Sequence, residues 1–187
     1  EAAATIEPEH LVVVVGHESE QVVAHLDEVA PWVATVEQTQ RNGTGHAVRV
    51  ALEFLSERGV TTSEAPVVVL TGDTPLLTGE SLVTMLTKHS ENTAAATVLT
   101  ADLDNPFGYG RILRSSDRVV GIVEEKDATP QQREIGEINS GMYAFEGAAL
   151  LDAITGLNTS NSQGEEYLTD VIEILASRGD VVIGVSA

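Results

Sequence analysis

The nine residues Pro66-Val67-Val68-Val69-Leu70-Thr71-Gly72-Asp73-Thr74 decide the fold. A run of apolar side chains with no polar alternation suits a strand covered on both faces, because a half-solvated strand alternates. The run is entered through Pro66 and broken at Thr71-Gly72-Asp73, so a short buried strand ends in a loop that carries a carboxylate. Leu11 to Val15 repeats the pattern and stops at Gly16-His17, and Val33 to Glu37 reads as another short strand. Between these runs lie stripes at helical spacing: Val22, Val23, Leu26 and Val29, then Ala47, Val50, Ala51, Phe54 and Leu55, then Leu82, Val83 and Leu86.

Strands that alternate with helices predict an α/β fold, a doubly wound, mostly parallel sheet with helices on both faces. Ligands on such sheets bind beyond the carboxyl ends of the strands, so the loops at His17, Gln38 to Thr44 and Thr71 to Thr74 are expected on one rim. From about residue 92 the pattern changes. Ala94 to Leu103, Gly110 to Leu113, Val119 to Glu125 and Ile138 to Phe145 read as strands separated by turn-rich loops. Helices are expected again at Gly147 to Ile154 and Glu165 to Ser177, with a last strand at Val181 to Val185. No linker of Pro, Gly and Ser separates the two halves, so residues 93–187 are expected as a small β-rich lobe of one domain. Glu1 to Ala4 reads as the tail of a helix, and both ends read as cut from something longer.

Composition limits the function. The chain has 187 residues, 42% hydrophobic but only 4% aromatic, so one domain with a core of Val, Leu, Ile and Ala is expected. The formal charge of −19 repels a polyanion, and no cluster of Lys and Arg offsets it, which argues against a nucleic-acid partner. Small phosphorylated ligands stay open, because a metal ion, a few cations and backbone N–H groups can hold them. The absence of cysteine removes disulfides, zinc–thiolate centres and cysteine nucleophiles. No apolar run approaches the roughly 20 residues that span a bilayer, and no signal-peptide pattern opens the chain. A reducing, cytoplasmic setting without a membrane partner is expected.

Five segments carry candidate chemistry. Asp73, at the end of a buried strand, is placed to hold Mg²⁺ over a triphosphate, although on local sequence alone a strand-end Asp capping the turn before Pro75 is the more ordinary reading. Gln38 to Gly45 offers glycines against which a base or phosphate can lie, a helix start with free N–H groups, and an amide able to read a uracil edge; a flexible turn with an N-cap fits as well. Gly108-Tyr109-Gly110-Arg111 suits a glycine-rich hairpin, Glu124 a solvated charge run, and Asn139 a bulge. Singly, each segment is ordinary. Their order and spacing together are not.

Taken in order, the chain resembles the uridylyltransferase domain of the bacterial bifunctional N-acetylglucosamine-1-phosphate uridylyltransferase/glucosamine-1-phosphate acetyltransferases. The resemblance runs from Leu11 to Val185. It is carried by Gln38 and Gly43-Thr44-Gly45-His46-Ala47, by Thr71-Gly72-Asp73-Thr74-Pro75-Leu76, and by Pro106-Phe107-Gly108-Tyr109-Gly110-Arg111-Ile112. Gly121-Ile122-Val123-Glu124, Lys126-Asp127-Ala128, Glu137-Ile138-Asn139-Ser140-Gly141 and Glu166-Tyr167-Leu168-Thr169-Asp170 complete it. It departs at Asn42, where the family commonly has Leu, and at Thr71, where it often has Tyr.

The resemblance implies a Rossmann-like fold of the nucleotide-diphospho-sugar transferase type, with residues 1–92 on the nucleotide side and 93–187 on the sugar side. Gln38, Gly43 and Thr44 would hold the uracil and ribose; Thr71 and Gly72 would line the nucleotide; Asp73 would bind Mg²⁺. Gly110, Glu124 and Asn139 would hold N-acetylglucosamine, with Tyr167 and Thr169 shaping the pocket. The implied substrates are UTP and N-acetylglucosamine 1-phosphate, the product UDP-N-acetylglucosamine, and the full-length protein a homotrimer and also an acetyltransferase. In the family a glycine-rich phosphate loop would lie upstream of Glu1, and a second metal ligand and the acetyltransferase domain downstream of Ala187, so this stretch alone is expected to be nearly inactive. His17 and His46 are not needed as bases, because a phosphate nucleophile is already ionised. The competing expectations are another sugar-1-phosphate nucleotidylyltransferase and a non-catalytic nucleotide-sugar binding module. A dinucleotide-binding oxidoreductase is disfavoured, since no suitable glycine fingerprint follows a strand.

Overall fold

The computed structural model describes residues 2–16, 19–72, 74 and 77–187. A 3₁₀ turn at Ala2–Ile6 leads into β1 (Val12–Val15), α1 (Glu20–Val29), β2 (Ala34–Glu37) and α2 (Thr44–Glu57). Then come β3 (Pro66–Val69), α3 (Gly79–Glu91), β4 (Ala96–Asp102), β5 (Arg111–Ser115) and β6 (Arg118–Val123). The chain closes through α4 (Pro130–Arg133), β7 (Glu137–Glu146), α5 (Gly147–Ala153), α6 (Thr169–Ser177) and β8 (Val182–Ser186). The expected mixed α/β architecture is present, and each expected strand forms within a few residues of its predicted limits.

Strand direction follows from the pairings. Both β3 and β4 run antiparallel to β7, and β8 runs parallel to β4, so β3, β4 and β8 share one direction and β7 opposes them. Direction is not encoded in an apolar run, which is why the opposed strand is invisible in the sequence. Among the described residues β1 and β2 pair, in parallel, only with each other. The hairpin β5–β6 extends the larger sheet at one end, meeting β7 at Arg111↔Ile138.

Alternation along the strands builds a layer on each face. Val67, Val69, Ala96, Val98, Tyr143, Phe145 and Val182 point into one core, closed by Val48 and Leu52 of α2, Leu150 and Ala153 of α5, and Val171, Ile172 and Leu175 of α6. Val68, Leu99, Met142, Ala144 and Val185 point the other way, under Leu82 and Met85 of α3 and Ala2 and Ile6 of the first turn. Helices therefore cover both faces, as a strand apolar throughout requires. On the side of the second layer His89 Nδ1 lies 2.9 Å from Thr97 Oγ1, and burial lowers the pKa of His89 so that the neutral ring is favoured there.

One expected element is corrected. Helix α6 begins at Thr169, not at Glu165, although the apolar stripe continues through Tyr167 and Leu168. The cause lies in the backbone. Glu166 N–H donates to Asn42 O at 2.7 Å and Glu166 O accepts from Gly45 N–H at 2.8 Å, so both of its main-chain groups are taken by a distant loop and are unavailable to a helix. Helix α4 also forms where none was expected. A capping box, Thr129 with Gln132, and Pro130 in the first turn start it.

Candidate active site

Strand β7 changes partners along one edge, and three of the expected sugar-side residues gather where it does so. Residues 143–146 of β7 pair with β3, whereas Ile138 pairs with Arg111 of β5. On its other edge the register with β4 shifts between Val98 and Thr100, so Ser140, Gly141 and Met142 stand opposite little more than Leu99. This bulge is held by Ser140 Oγ donating to Leu99 O at 2.6 Å and by Gly141, whose φ of +80° a side chain resists. A Cβ on Gly141 would also meet Thr71 Cγ2 at 2.9 Å. The bulge thereby brings the carboxyl end of β3 beside the start of β5.

Three of the expected sugar-side residues converge there. Gly110, just before β5, accepts Asn139 N–H on its carbonyl at 2.9 Å. A Cβ at Gly110 would stand 3.5 Å from Asn139 Cβ, 3.5 Å from Glu124 Oε2 and 3.1 Å from Ile122 Cγ2. Asn139 donates from Nδ2 to the Tyr143 hydroxyl at 2.6 Å and accepts Gly141 N–H on Oδ1 at 3.0 Å. Among the described residues, these bonds leave one amide hydrogen and one oxygen lone pair of Asn139 over. Burial pushes the Tyr143 phenol well above its ordinary pKa, so it stays protonated and holds the amide in place.

Glu124, just past β6, accepts from Thr169 Oγ1 on Oε1 at 3.1 Å. Loss of hydration raises the Glu124 pKa, the Thr169 hydroxyl partly offsets this, and Asp127 adds to the rise. Asp170 is raised too, by burial first and then by Glu173, Glu124 and Asp127. These carboxyl groups make this end of the candidate site acidic. It suits neutral hydroxyl and amide groups better than a phosphate.

The other end is the loop before α2. Gln38 Nε2 donates to Gly43 O at 3.1 Å and lies 2.8 Å from His46 Nδ1, so the amide hydrogens are spent on the loop itself. With His46 accepting, the Gln38 carbonyl oxygen is the group left for a ligand, which narrows the expected role from donor and acceptor to acceptor. His46 thus supports the loop–helix junction, as expected for a structural histidine. Thr44 Oγ1 accepts Leu168 N–H at 3.0 Å, which leaves its own hydrogen free to donate. Gly43 has a φ of +103°, and the Glu166 carbonyl occupies the place of a Cβ there.

Thr71 and Thr74 close a turn at the end of β3, with Thr74 Oγ1 donating to Thr71 O at 2.9 Å. Gly72 is exposed, and among the described residues nothing lies within 4 Å of a Cβ placed there. Asp73 and His17 lie outside the described residues. Among the described residues no group of three or more His, Asp or Glu side chains could hold a metal ion, so these residues do not make a metal site by themselves. None of their helices is long and apolar enough to cross a membrane.

Sequence reasoning read residues 165–168 as the start of a helix and, beyond Tyr167 at the sugar pocket, gave this strap no role. Glu166 and Leu168 bind the loop 42–45, Arg49 of α2 pairs with both carboxylate oxygens of Glu166, and Thr169 follows directly and holds Glu124. The chain positions of Arg49 and Glu166 carry no mutual signal, since 117 residues separate them.

The loop 42–45 and the fork in β7 are thus joined through residues 166–169 in a mixed α/β domain. The chain belongs to the nucleotidyl transferase family, whose model matches residues 2–186. It is 54% identical over 180 residues to the bifunctional protein GlmU of Streptomyces avermitilis, covering 95% of this chain and 36% of that protein. It is 53% identical to the protein of the same name from Streptomyces coelicolor, again over 95% of this chain and 36% of the relative. The match to GlmU of Cutibacterium acnes is 53% over 175 residues, 94% of this chain and 41% of the relative. The chain therefore spans between about a third and two-fifths of the length of these relatives.

Proposed function

We propose that this domain belongs to an enzyme that transfers UMP from UTP to N-acetylglucosamine 1-phosphate, releasing pyrophosphate and giving UDP-N-acetylglucosamine for cell-wall precursors. The reading rests chiefly on the fork in β7, where Gly110, Glu124 and Asn139 meet and Thr71 packs against the neighbouring Gly141, although 68 positions separate Thr71 from Asn139 in the sequence. The nucleotide binds at the loop 38–45. The Gln38 carbonyl accepts the uracil N3–H, the Gly43 backbone lies against the ring, and the Thr44 hydroxyl donates to the ribose side. The amino sugar binds at the fork. Glu124 Oε2 accepts a sugar hydroxyl, the spare hydrogen and lone pair of Asn139 take a second polar group, and Gly110 leaves room beside both.

Bound in this way, the sugar phosphate oxygen faces the α-phosphorus of UTP. A new P–O bond forms there as the bond to the bridging oxygen breaks, and its electron pair leaves with pyrophosphate. No proton must be removed from the nucleophile, so the protein positions and excludes water rather than acting as a base. Mg²⁺, assigned to Asp73 by resemblance, would when bound neutralise charge on the phosphates. The whole protein's acetyltransferase activity and trimeric state belong to the same proposal.

The test is turnover by the full-length protein across UTP, dTTP and CTP with several sugar 1-phosphates, following pyrophosphate release. Preference for UTP with N-acetylglucosamine 1-phosphate is expected. Preference for another pair would reassign the substrate, and binding of UDP-N-acetylglucosamine without any turnover would reduce the domain to a binding module.

A further inference from the structure

Two subsites that sit on different segments can act together only if something fixes their distance. The strap 165–168 is the physical link. Its Glu166 main chain bonds to Asn42 and Gly45, and its Leu168 N–H bonds to Thr44, so it is sewn to the nucleotide-side loop. Its next residue, Thr169, holds the Glu124 carboxylate on the sugar side. Gly45 completes the fit. A Cβ there would approach Glu166 O to 3.0 Å and would overlap Leu157 Cδ1.

The side chains then lock what the backbone aligns. Arg49 Nη2 donates to both oxygens of Glu166, in a pair with side-chain exposures of 39% and 19%. An ion pair this exposed contributes little to global stability. Its local effect is larger, because Arg49 Nε is buried and finds no partner among the described residues. Neutralising Glu166 leaves that guanidinium half-buried with nothing to offset its lost hydration, and the strap must shift to let water in.

We propose that Arg49 and Glu166 are positioning residues that couple the nucleotide and sugar subsites through the strap. The inference rests on the assignment of the two subsites given above. Neither residue touches the reacting atoms. They set the separation between the Thr44 hydroxyl and the Glu124 carboxylate, and thus whether the sugar phosphate meets the α-phosphorus in line.

The experiment uses the full-length protein, as wild type, Glu166→Gln, Arg49→Met, Arg49→Lys and the exchange Arg49→Glu/Glu166→Arg. Initial rates are measured while both UTP and N-acetylglucosamine 1-phosphate are varied, with a melting temperature for each variant. Glu166→Gln and Arg49→Met are expected to raise the sugar phosphate KM about fivefold at saturating UTP, the low end of measured site–site couplings. The UTP KM measured without added coupling, at low sugar phosphate, should move much less. Arg49→Lys should recover part of the loss, since one ammonium replaces a forked donor, and the exchange should recover more. Unchanged KM values alongside a lowered melting temperature would overturn the inference and leave the pair merely structural. Should either truncating variant fail to fold, the lysine variant and the exchange decide by the same criterion. Wild-type protein that does not turn over these substrates would instead overturn the subsite assignment, and the coupling with it.

Discussion

Glu124 is held in a state that the fold alone would not choose, so Glu124→Gln should make the protein more stable and less able to bind sugar. Its carboxylate has lost much of its hydration and receives one hydrogen bond, from the neutral hydroxyl of Thr169 at 3.1 Å, while Asp127 repels it. The raised pKa records that these losses outweigh the gain. A carboxyl whose folded pKa lies above its unfolded value, about 4.3, contributes its full stability below that value and loses it as pH rises through the folded pKa. Glutamine keeps an oxygen for Thr169 and carries no charge. At pH 7 its advantage should be about 0.5–2 kcal/mol, the usual gain on relieving a functional-site strain, or a few degrees in Tm for a domain of this size. The advantage should shrink towards zero near pH 4. In exchange, loss of a charge-assisted bond to a sugar hydroxyl should raise the sugar phosphate KM by about tenfold or more. Calorimetric melting of the full-length protein between pH 4 and pH 8, with kinetics at pH 7.5, measures both. A variant less stable at pH 7 with an unchanged KM would refute the reasoning and make Glu124 a structural acceptor for Thr169.

Three further outcomes are expected. Gly43→Ala forces a side chain into a φ of +103° against the Glu166 carbonyl; a cost of about 1–3 kcal/mol and a raised UTP KM should appear in melting and rate measurements. Gly147→Ala, remote from the cleft, places a Cβ 2.5 Å from Ala65 O and closer still to Thr62 O, so it should lower Tm at a cost of about 1–3 kcal/mol or more while the KM values of surviving folded protein stay unchanged. Asp73→Asn should lower kcat about 100-fold or more and shift the Mg²⁺ concentration needed for half-maximal rate, read from rates over a metal titration; full activity would remove Asp73 from metal binding.

The fold was legible where hydrophobic period decides structure. Val67 to Leu70 and Leu11 to Val15 are apolar without alternation and do form strands, although only Val15 among them is fully buried, and the stripe containing Leu82 and Leu86 falls in α3 while its Val83 stays exposed. What the pattern lacks is direction and partnership. The opposed course of β7 depends on where its neighbours lie, and the end of the stripe at Glu165 to Leu168 is non-helical because distant Asn42 and Gly45 claim its backbone. The capping box at Thr129 was a usable signal for α4, hidden among strand-like neighbours. At the site, Gly110, Glu124 and Asn139 each look ordinary alone; Asn139 suggested the bulge that β7 forms beside it, but nothing local told that the β5–β6 hairpin brings Gly110 and Glu124 to it. Arg49 and Glu166 show the same limit: a side-chain pair 117 residues apart exists only in three dimensions.

A crystal structure of the full-length protein with UDP-N-acetylglucosamine tests the two-ended cleft most directly. The amino sugar should lie within hydrogen-bond reach of Glu124 Oε2 and the Asn139 amide, beside Gly110, with the uracil against Gly43 and its N3–H on Gln38. Product bound elsewhere, or bound with the sugar at the 38–45 loop and the base at the fork, would contradict the account.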